Sequence, residues 1–270
     1  MPVHPSSPLS ATVLALRRAG CVFAEDEARL LHETAASADE LSSLVERRAA
    51  GLPLEHVLGW ADFHGRRFAV DPGVFVPRRR TEFLVARAAA LAPRRSVVVD
   101  LCCGSGALGA ALAAVSDAAE LHACDVEPAA VRCARRNIGD LGHVYEGDLF
   151  APLPATLRGR VDVLLANVPY VPTDDVELLP AEARVHEPRV ALDGGDDGLD
   201  VMRRVAAEAP AWLAPGGSLL VEASERQRDT AVEVLRAAGL SPRALVSEEL
   251  YATVLVGTAA NSPSEDRPKR

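Results

Sequence analysis

Apolar positions along the chain change their spacing twice. Over residues 9–51 they recur at helical intervals. Ser37-Ala-Asp-Glu40 is a capping-box pattern; Leu41, Leu44 and Val45 then share a helical face, and Gly51 with Pro53 supplies a stop. Residues 63–76 switch to short extended stretches, with Phe63, Phe68, Val70, Val74 and Val76 separated by Gly65 and by Asp71-Pro72-Gly73. That pattern predicts a hairpin or a pair of short strands. From about residue 83, strand-like and helix-like segments alternate, with strands expected at 97–101, 119–124, 143–146, 161–166, 218–222, 243–248 and 252–257. Leu108, Leu112 and Val115 fall on one helix face between them, as do Val131, Ala134 and Ile138. Short apolar strands separated by helices predict an α/β fold with a mostly parallel seven-stranded sheet covered on both sides. The last two strands are too close in sequence for a crossover and should pair antiparallel. The expected division is a helical domain over 1–60, a hairpin linker over 61–82, the α/β domain over 83–258 and a disordered polar tail over 259–270.

Composition narrows the function classes. A net charge of −9 argues against a protein that holds nucleic acid by bulk electrostatics. No apolar run approaches the roughly 20 residues of a membrane helix, and the opening MPVHPSSPLS lacks the basic-then-apolar order of a secretory signal. Cys21, Cys102, Cys103, Cys124 and Cys133 contain no C-x-x-C pair. Reduced thiols, a cytoplasmic location and no metal site are therefore expected.

The first strand of the alternating region runs into Asp100-Leu-Cys-Cys-Gly104-Ser-Gly106-Ala-Leu-Gly109. A glycine turn between strand and helix lets a ligand approach free backbone N–H groups. Asp125, at the end of the second strand, is placed to accept hydrogen bonds from two ribose hydroxyls. Gly104, Gly106 and Gly109 also satisfy G-x-G-x-x-G, so a nicotinamide dinucleotide oxidoreductase competes. Against it, Asp100 would sit unfavourably beside a pyrophosphate but would suit a ligand carrying an ammonium and a sulfonium. The spacing D-x-x-x-G-x-G resembles motif I of S-adenosylmethionine methyltransferases, and Asp125-Val-Glu-Pro-Ala-Ala-Val with Asn137 resembles their second-strand segment. Asp148 and Leu149, in Gly-Asp-Leu-Phe, stand where that class contacts the adenine.

The fourth strand ends in Asn167-Val168-Pro169-Tyr170, which resembles the [ND]-P-P-[YFW] motif of methyltransferases acting on planar amino or amide nitrogens. An amide nitrogen is a poor nucleophile because its lone pair is delocalised. The Asn167 side-chain oxygen and a main-chain carbonyl of the tetrapeptide would hold its two hydrogens and aim it at the methyl carbon. Tyr170 would supply a flat wall and Pro169 would stiffen the turn.

Taken together these segments resemble the HemK/PrmC family of protein-(glutamine) methyltransferases, which modify the Gly-Gly-Gln motif of peptide-chain release factors. The resemblance covers most of residues 28–225. It includes Glu46-Arg-Arg-Ala-Ala-Gly-Leu-Pro-Leu-Glu-His-Val-Leu-Gly59, Val76-Pro-Arg-Arg-Arg-Thr-Glu82, and Arg184-Val-His-Glu187-Pro188-Arg-Val-Ala-Leu192-Asp-Gly194-Gly195. It implies a class I, Rossmann-like methyltransferase behind a small helical substrate-recognition domain, a monomer with S-adenosyl-L-methionine as cofactor and a release factor as protein partner. By the same resemblance Asn167, Pro169 and Tyr170 are catalytic. Asn167, Val168, Pro169 and Tyr170 bind the substrate, and Asp100, Cys102, Cys103, Gly104, Ser105, Gly106, Asp125, Asp148, Leu149 and Asn167 bind the cofactor. The chain departs from the pattern at four places. Val168 replaces the first proline of N-P-P-Y, Cys102-Cys103 replaces a Gly-Thr pair, Arg79 replaces a proline, and no C-terminal D-x-x-G-x-x-R is recognisable.

Three other functions remain open at this point. An exocyclic base amine is also planar, so RNA or DNA could be the acceptor, and a steep salt dependence of binding would reveal it. The oxidoreductase reading separates by calorimetry with the two cofactors. A non-catalytic module would bind cofactor without turnover. Arg78, Arg79 and Arg80 read as a solvated linker or as a clamp for an acidic group, with Glu82 orienting one arginine. His186 and Glu187 read as loop-structuring, Cys102 and Cys103 as packing residues, Glu222 as structural, and Trp60 and Trp212 as packing residues.

Overall fold

The computed structural model describes residues 8–261, so residues 1–7 of the N-terminal sequence read for a signal and residues 262–270 of the expected tail lie outside the described residues. Four helices come first: α1 (Pro8–Arg18), α2 (Ala24–Thr34), α3 (Ala38–Ala49) and α4 (Leu54–Leu58). They bury Leu16, Ala24, Ala28, Leu31, Leu44 and Val57 in a cluster of their own. Ser37 caps α3, its hydroxyl accepting from Glu40 N at 3.1 Å. The returning Glu40 carboxylate accepts from Ala36 N rather than from Ser37 N.

The hairpin is β1 (Trp60–Phe63) and β2 (Arg66–Ala69), paired antiparallel through a turn at His64-Gly65 where both φ angles are positive. It therefore begins three residues earlier than the apolar pattern alone suggests. Val70, Val74 and Val76 are irregular in backbone yet buried, packed with Ala130 and Cys133 of a helix that follows. Asn137 fastens this segment to the glycine loop: its side chain accepts from Ala69 N and donates to Ala69 O and Ser105 O, each at 2.8 Å.

The sheet holds β3 (Val97–Leu101), β4 (Glu120–Asp125), β5 (His143–Glu146), β6 (Val161–Ala166), β7 (Leu213–Ala223), β8 (Ser241–Ser247) and β9 (Ala252–Thr258), in the order β5-β4-β3-β6-β7-β9-β8. The first five run parallel. β9 pairs antiparallel with both β7 and β8, as the short connection requires. The helices α5 (Glu82–Leu91), α6 (Ala107–Val115) and α7 (Pro128–Ile138) cover one face. On the other lie α9 (Asp200–Glu208) and α10 (Arg228–Ala237), while α8 (Ala181–His186) belongs to the excursion after β6. Alternation along β3 sends Val97, Val99 and Leu101 to the α9/α10 side and Val98 to the α6 side. Val131, Ala134 and Ile138 are buried as expected, but Val115 is half exposed, because α6 ends there and its last turn leaves the sheet. No helix among the described residues is long and apolar enough to cross a membrane.

Candidate active site at the carboxyl ends of the parallel strands

The strands β3, β4 and β6 open into a cleft of about 420 Å³, the size of a small-molecule site. Its walls include Asp100, Cys102, Cys103, Gly104, Ser105, Asp125, Asp148, Leu149, Asn167, Val168, Pro169 and Tyr170. Of the residues expected to bind cofactor or substrate, Gly106 is the one that does not line it. Gly106 works from behind: it begins α6 at φ +77°, and a Cβ there would press on Ala134 and Ile138 at 3.0–3.1 Å. Its absent side chain brings α6 against α7.

Asp100 is wholly buried. Its Oδ2 accepts from Gly109 N at 2.8 Å, an approach a side chain at Gly109 would obstruct, since a Cβ would lie 2.9 Å from that oxygen. Its Oδ1 accepts from none of the described residues. Burial pushes its carboxyl up to about 7, with the Gly109 hydrogen bond opposing and the Asp125 charge adding. Asp125 has two backbone donors already, Gly104 N at 2.8 Å and Glu127 N at 2.9 Å. It closes the glycine loop onto the end of β4 and keeps further lone pairs facing the cleft. Asp148 pairs with Arg204 at 2.5 Å, a partner the sequence did not suggest. Cys102 takes the left-handed conformation (φ +54°), and burial pushes the thiols of Cys102 and Cys103 well up, which leaves them unionised packing groups.

The tetrapeptide leaves β6 at the bottom of the cleft. Asn167 Oδ1 is a buried acceptor without a donor, like Asp100 Oδ1. Val168 turns its side chain into the core shared with Leu199 and Met202. Its carbonyl accepts from none of the described residues, whereas the Tyr170 carbonyl accepts from Gln227 Nε2 at 2.8 Å. Gln227 also donates to Asp197 O at 2.9 Å, and its own oxygen accepts from Ser224 N and Oγ. The segment 192–198 is zipped alongside: Val171 N donates to Leu192 O, Gly194 N to Val171 O, and Thr173 N to Gly195 O. Glycine is required there, because a Cβ on Gly194 would lie 2.7 Å from the Pro169 carbonyl and one on Gly198 would overlap the Tyr170 carbonyl. The two glycines and Gln227 thus hold the turn by its main chain.

The arginine run divides. Arg78 donates twice to the buried Glu187 carboxylate, at 2.6 and 2.7 Å, and Val76 N donates to it as well. Glu187 is therefore a loop anchor. Arg80 reaches Glu222 and Tyr170. Glu82 orients no arginine; it accepts from His64 N at 3.0 Å and so braces the hairpin turn. Trp212 is buried and stacks on Phe150, 5.3 Å between centroids, while Arg67 lies over the Trp60 ring. Sequence reasoning missed Gln227, Arg204 and the partners of Glu222. Only Gln227 carried a signal, since Ser224-x-x-Gln227 is a capping-box pattern.

Asp100 Oδ1 can accept from an ammonium and Asp125 from ribose hydroxyls, so the donor and acceptor set fits S-adenosylmethionine. The buried carboxylate of Asp100 behind the loop opposes a pyrophosphate. Comparison with known proteins agrees. The family described as "Methyltransferase small domain" matches residues 65–195. A methyltransferase crystal structure from Pyrococcus furiosus superposes with a TM-score of 0.55 at 16% identity, covering 72% of this chain and 88% of that one. A ribosomal protein L11 methylase from Lactobacillus delbrueckii subsp. bulgaricus superposes at 0.51 and 14% identity, covering 68% and 81%. Those two share the fold. The release factor glutamine methyltransferase of Geobacter sulfurreducens is 41% identical over 199 residues, 73% of this chain and 69% of its own. That of Deinococcus radiodurans is 37% identical over 256 residues, 86% and 90% of the two chains. With this identity across nearly the full length of a relative, the protein is an S-adenosylmethionine-dependent methyltransferase and belongs to the release factor glutamine methyltransferase family.

Proposed function

We propose that this chain methylates the side-chain amide nitrogen of the glutamine in the Gly-Gly-Gln motif of a peptide-chain release factor, with Asn167 as the residue that orients it. The observation that carries this reading is the pair of buried, donor-free acceptors in one cleft, Asp100 Oδ1 and Asn167 Oδ1. A buried acceptor left unpaired is destabilising by roughly 1–3 kcal/mol, which a ligand bringing N–H donors relieves. Asp100 is assigned to the cofactor ammonium and Asn167 to one amide N–H; the open Val168 carbonyl takes the other. Held this way, the nitrogen presents its lone pair at right angles to the two fixed hydrogens, and Tyr170 bounds the planar amide. S-adenosylmethionine, when bound, supplies an electrophilic methyl group on a sulfonium. With that group bound, the amide nitrogen held by Asn167 would take the methyl while the S–CH₃ electron pair stays on sulfur, and one N–H proton would leave to water. The cleft wall reaches Pro53 and Glu55, which supports a substrate-holding role for the N-terminal helices.

The test is methyl transfer to release factors purified unmethylated from the same organism, with the Gly-Gly-Gln peptide read by mass spectrometry. One added methyl on that glutamine is expected. Asn167→Ala should keep cofactor binding and lose turnover by a factor of about 100 or more, the scale of one oriented hydrogen-bond partner. Turnover at the wild-type rate in that variant removes Asn167 from this role.

A further inference from the structure

Tyr170 is held at both ends. Its carbonyl accepts from Gln227. Its hydroxyl donates to Glu222 Oε1 at 2.8 Å and accepts from Arg80 Nη2 at 2.5 Å. Glu222, on β7, is 2% exposed, and all its donors come from the site or the linker: Arg80 Nε at 2.9 Å and Tyr170 on Oε1, Thr81 Oγ1 at 2.7 Å on Oε2. The Arg80 guanidinium also lies 5.8 Å from the Tyr170 ring centroid.

A carboxylate buried this deeply is weak evidence for stability, because desolvation consumes most of its attraction for a cation. An apolar residue would fill the same place. What the carboxylate adds is a fixed acceptor for a phenol hydroxyl, which no apolar residue offers. We infer that Glu222 is a positioning residue for methyl transfer: through the Tyr170 hydroxyl it fixes the plane of the ring against which the acceptor amide lies, and Arg80 and Thr81 hold Glu222 in place. Resting on the amide-methylation reading, the inference extends it to Glu222, which does not line the cleft. It also makes the linker part of the catalytic geometry, since Arg80 and Thr81 lie between the hairpin and α5.

Two measurements test it. In methyl transfer at saturating cofactor, Glu222→Leu and Tyr170→Phe should each lower kcat at least about tenfold, the scale of one hydrogen bond to a charged group, with cofactor affinity unchanged by calorimetry. The double variant should lose no more than either single one, because both cut the same link. Losses that multiply, or a Glu222→Leu enzyme with wild-type kcat, overturn the inference. The second readout is independent of activity. Crystal structures of the wild type and of Glu222→Leu should show the Tyr170 ring at one orientation in the first and turned, or spread over several, in the second. A ring equally ordered at the same angle in both refutes the anchoring even if release factors are methylated. A ring that moves in Glu222→Leu while the wild type methylates no release factor would instead refute the substrate reading.

Discussion

Asp100 gives the molecule a pH response of unusual sign. Its carboxyl is pushed up to about 7 by burial before any cation arrives. An ammonium bound at Oδ1 requires the anion. At pH 6 a group titrating near 7 is ionised in about one molecule in eleven, against about one half at pH 7, and apparent affinity scales with that fraction. S-Adenosylmethionine should therefore bind about five- to six-fold more weakly at pH 6 than at pH 7, approaching tenfold per unit at lower pH. The ligand's own amine, an α-amino group losing its proton near about 8, limits the alkaline side, so the acid limb reports on Asp100. Calorimetry from pH 5.5 to 7.5, in buffers of different ionisation enthalpy, reads both the affinity and the proton released. Asp100→Asn should flatten this profile and weaken binding by about 1.5–3 kcal/mol, the worth of a hydrogen bond to a charged group. Stability moves the opposite way from a typical aspartate. The folded group holds its proton longer than the unfolded one, so its contribution is present below about pH 4 and is lost as pH rises through about 7. Ligand-free Asp100→Asn should thus gain stability on the wild type at pH 8. An affinity flat from pH 6 to 7, or an Asp100→Asn variant with the wild-type profile, refutes the assignment of the ammonium to this oxygen.

Other perturbations follow from the same contacts. Gly198→Ala places an L-residue at φ +77° and drives its Cβ into the Tyr170 carbonyl and Gln227 Nε2. Left-handed strain and weakened hydrogen bonds together should destabilise by about 2–4 kcal/mol in urea unfolding, with methyl transfer lost more than cofactor binding. Arg48, buried, donates to Glu27 from Nε and Nη2 and to Glu182 of α8 from Nη1. Arg48→Ala should destabilise by about 3–5 kcal/mol by stranding Glu27, while Arg48→Met with Glu27→Leu should recover most of it. Thermal unfolding of the three proteins decides that, and equal melting temperatures for the single and double variants would count against the stranded-charge account.

The alternating half of the chain was readable because buried parallel strands are short, apolar and punctuated. Three of the strands, 97–101, 143–146 and 161–166, match their expected bounds to the residue. β7 runs longer, from Leu213, because Pro215 and the glycines after it disguise its first half while a register shift near Val161 accommodates it. The cleft residues were legible through strand ends: Asp100, Asp125, Asp148 and Asn167 each follow or close a strand whose carboxyl end faces the cleft. What stayed hidden was every partnership across long sequence separation. Nothing in the neighbourhood of Glu222 announces that Arg80, Thr81 and Tyr170 converge on it, and nothing near Asp148 announces Arg204. Side-chain pairing of that kind is created by the sheet order, which short-range patterns do not encode. The arginine run shows the limit well, since Arg78 and Arg80, chemically identical and two residues apart, divide between Glu187 and Glu222.

Val168 has a thermal consequence. A proline holds its backbone torsion through its own ring, at any temperature and in any surroundings. Valine has no such covalent brace, and here its side chain is 2% exposed within the core that packs the sheet against α9. Beside the main-chain bonds from Gln227, part of the order of the 167–170 turn is thereby borrowed from the packing beneath it. Warming that loosens the α9 layer should blur the turn before the sheet gives way, so that turnover falls off at temperatures where the strands are still intact.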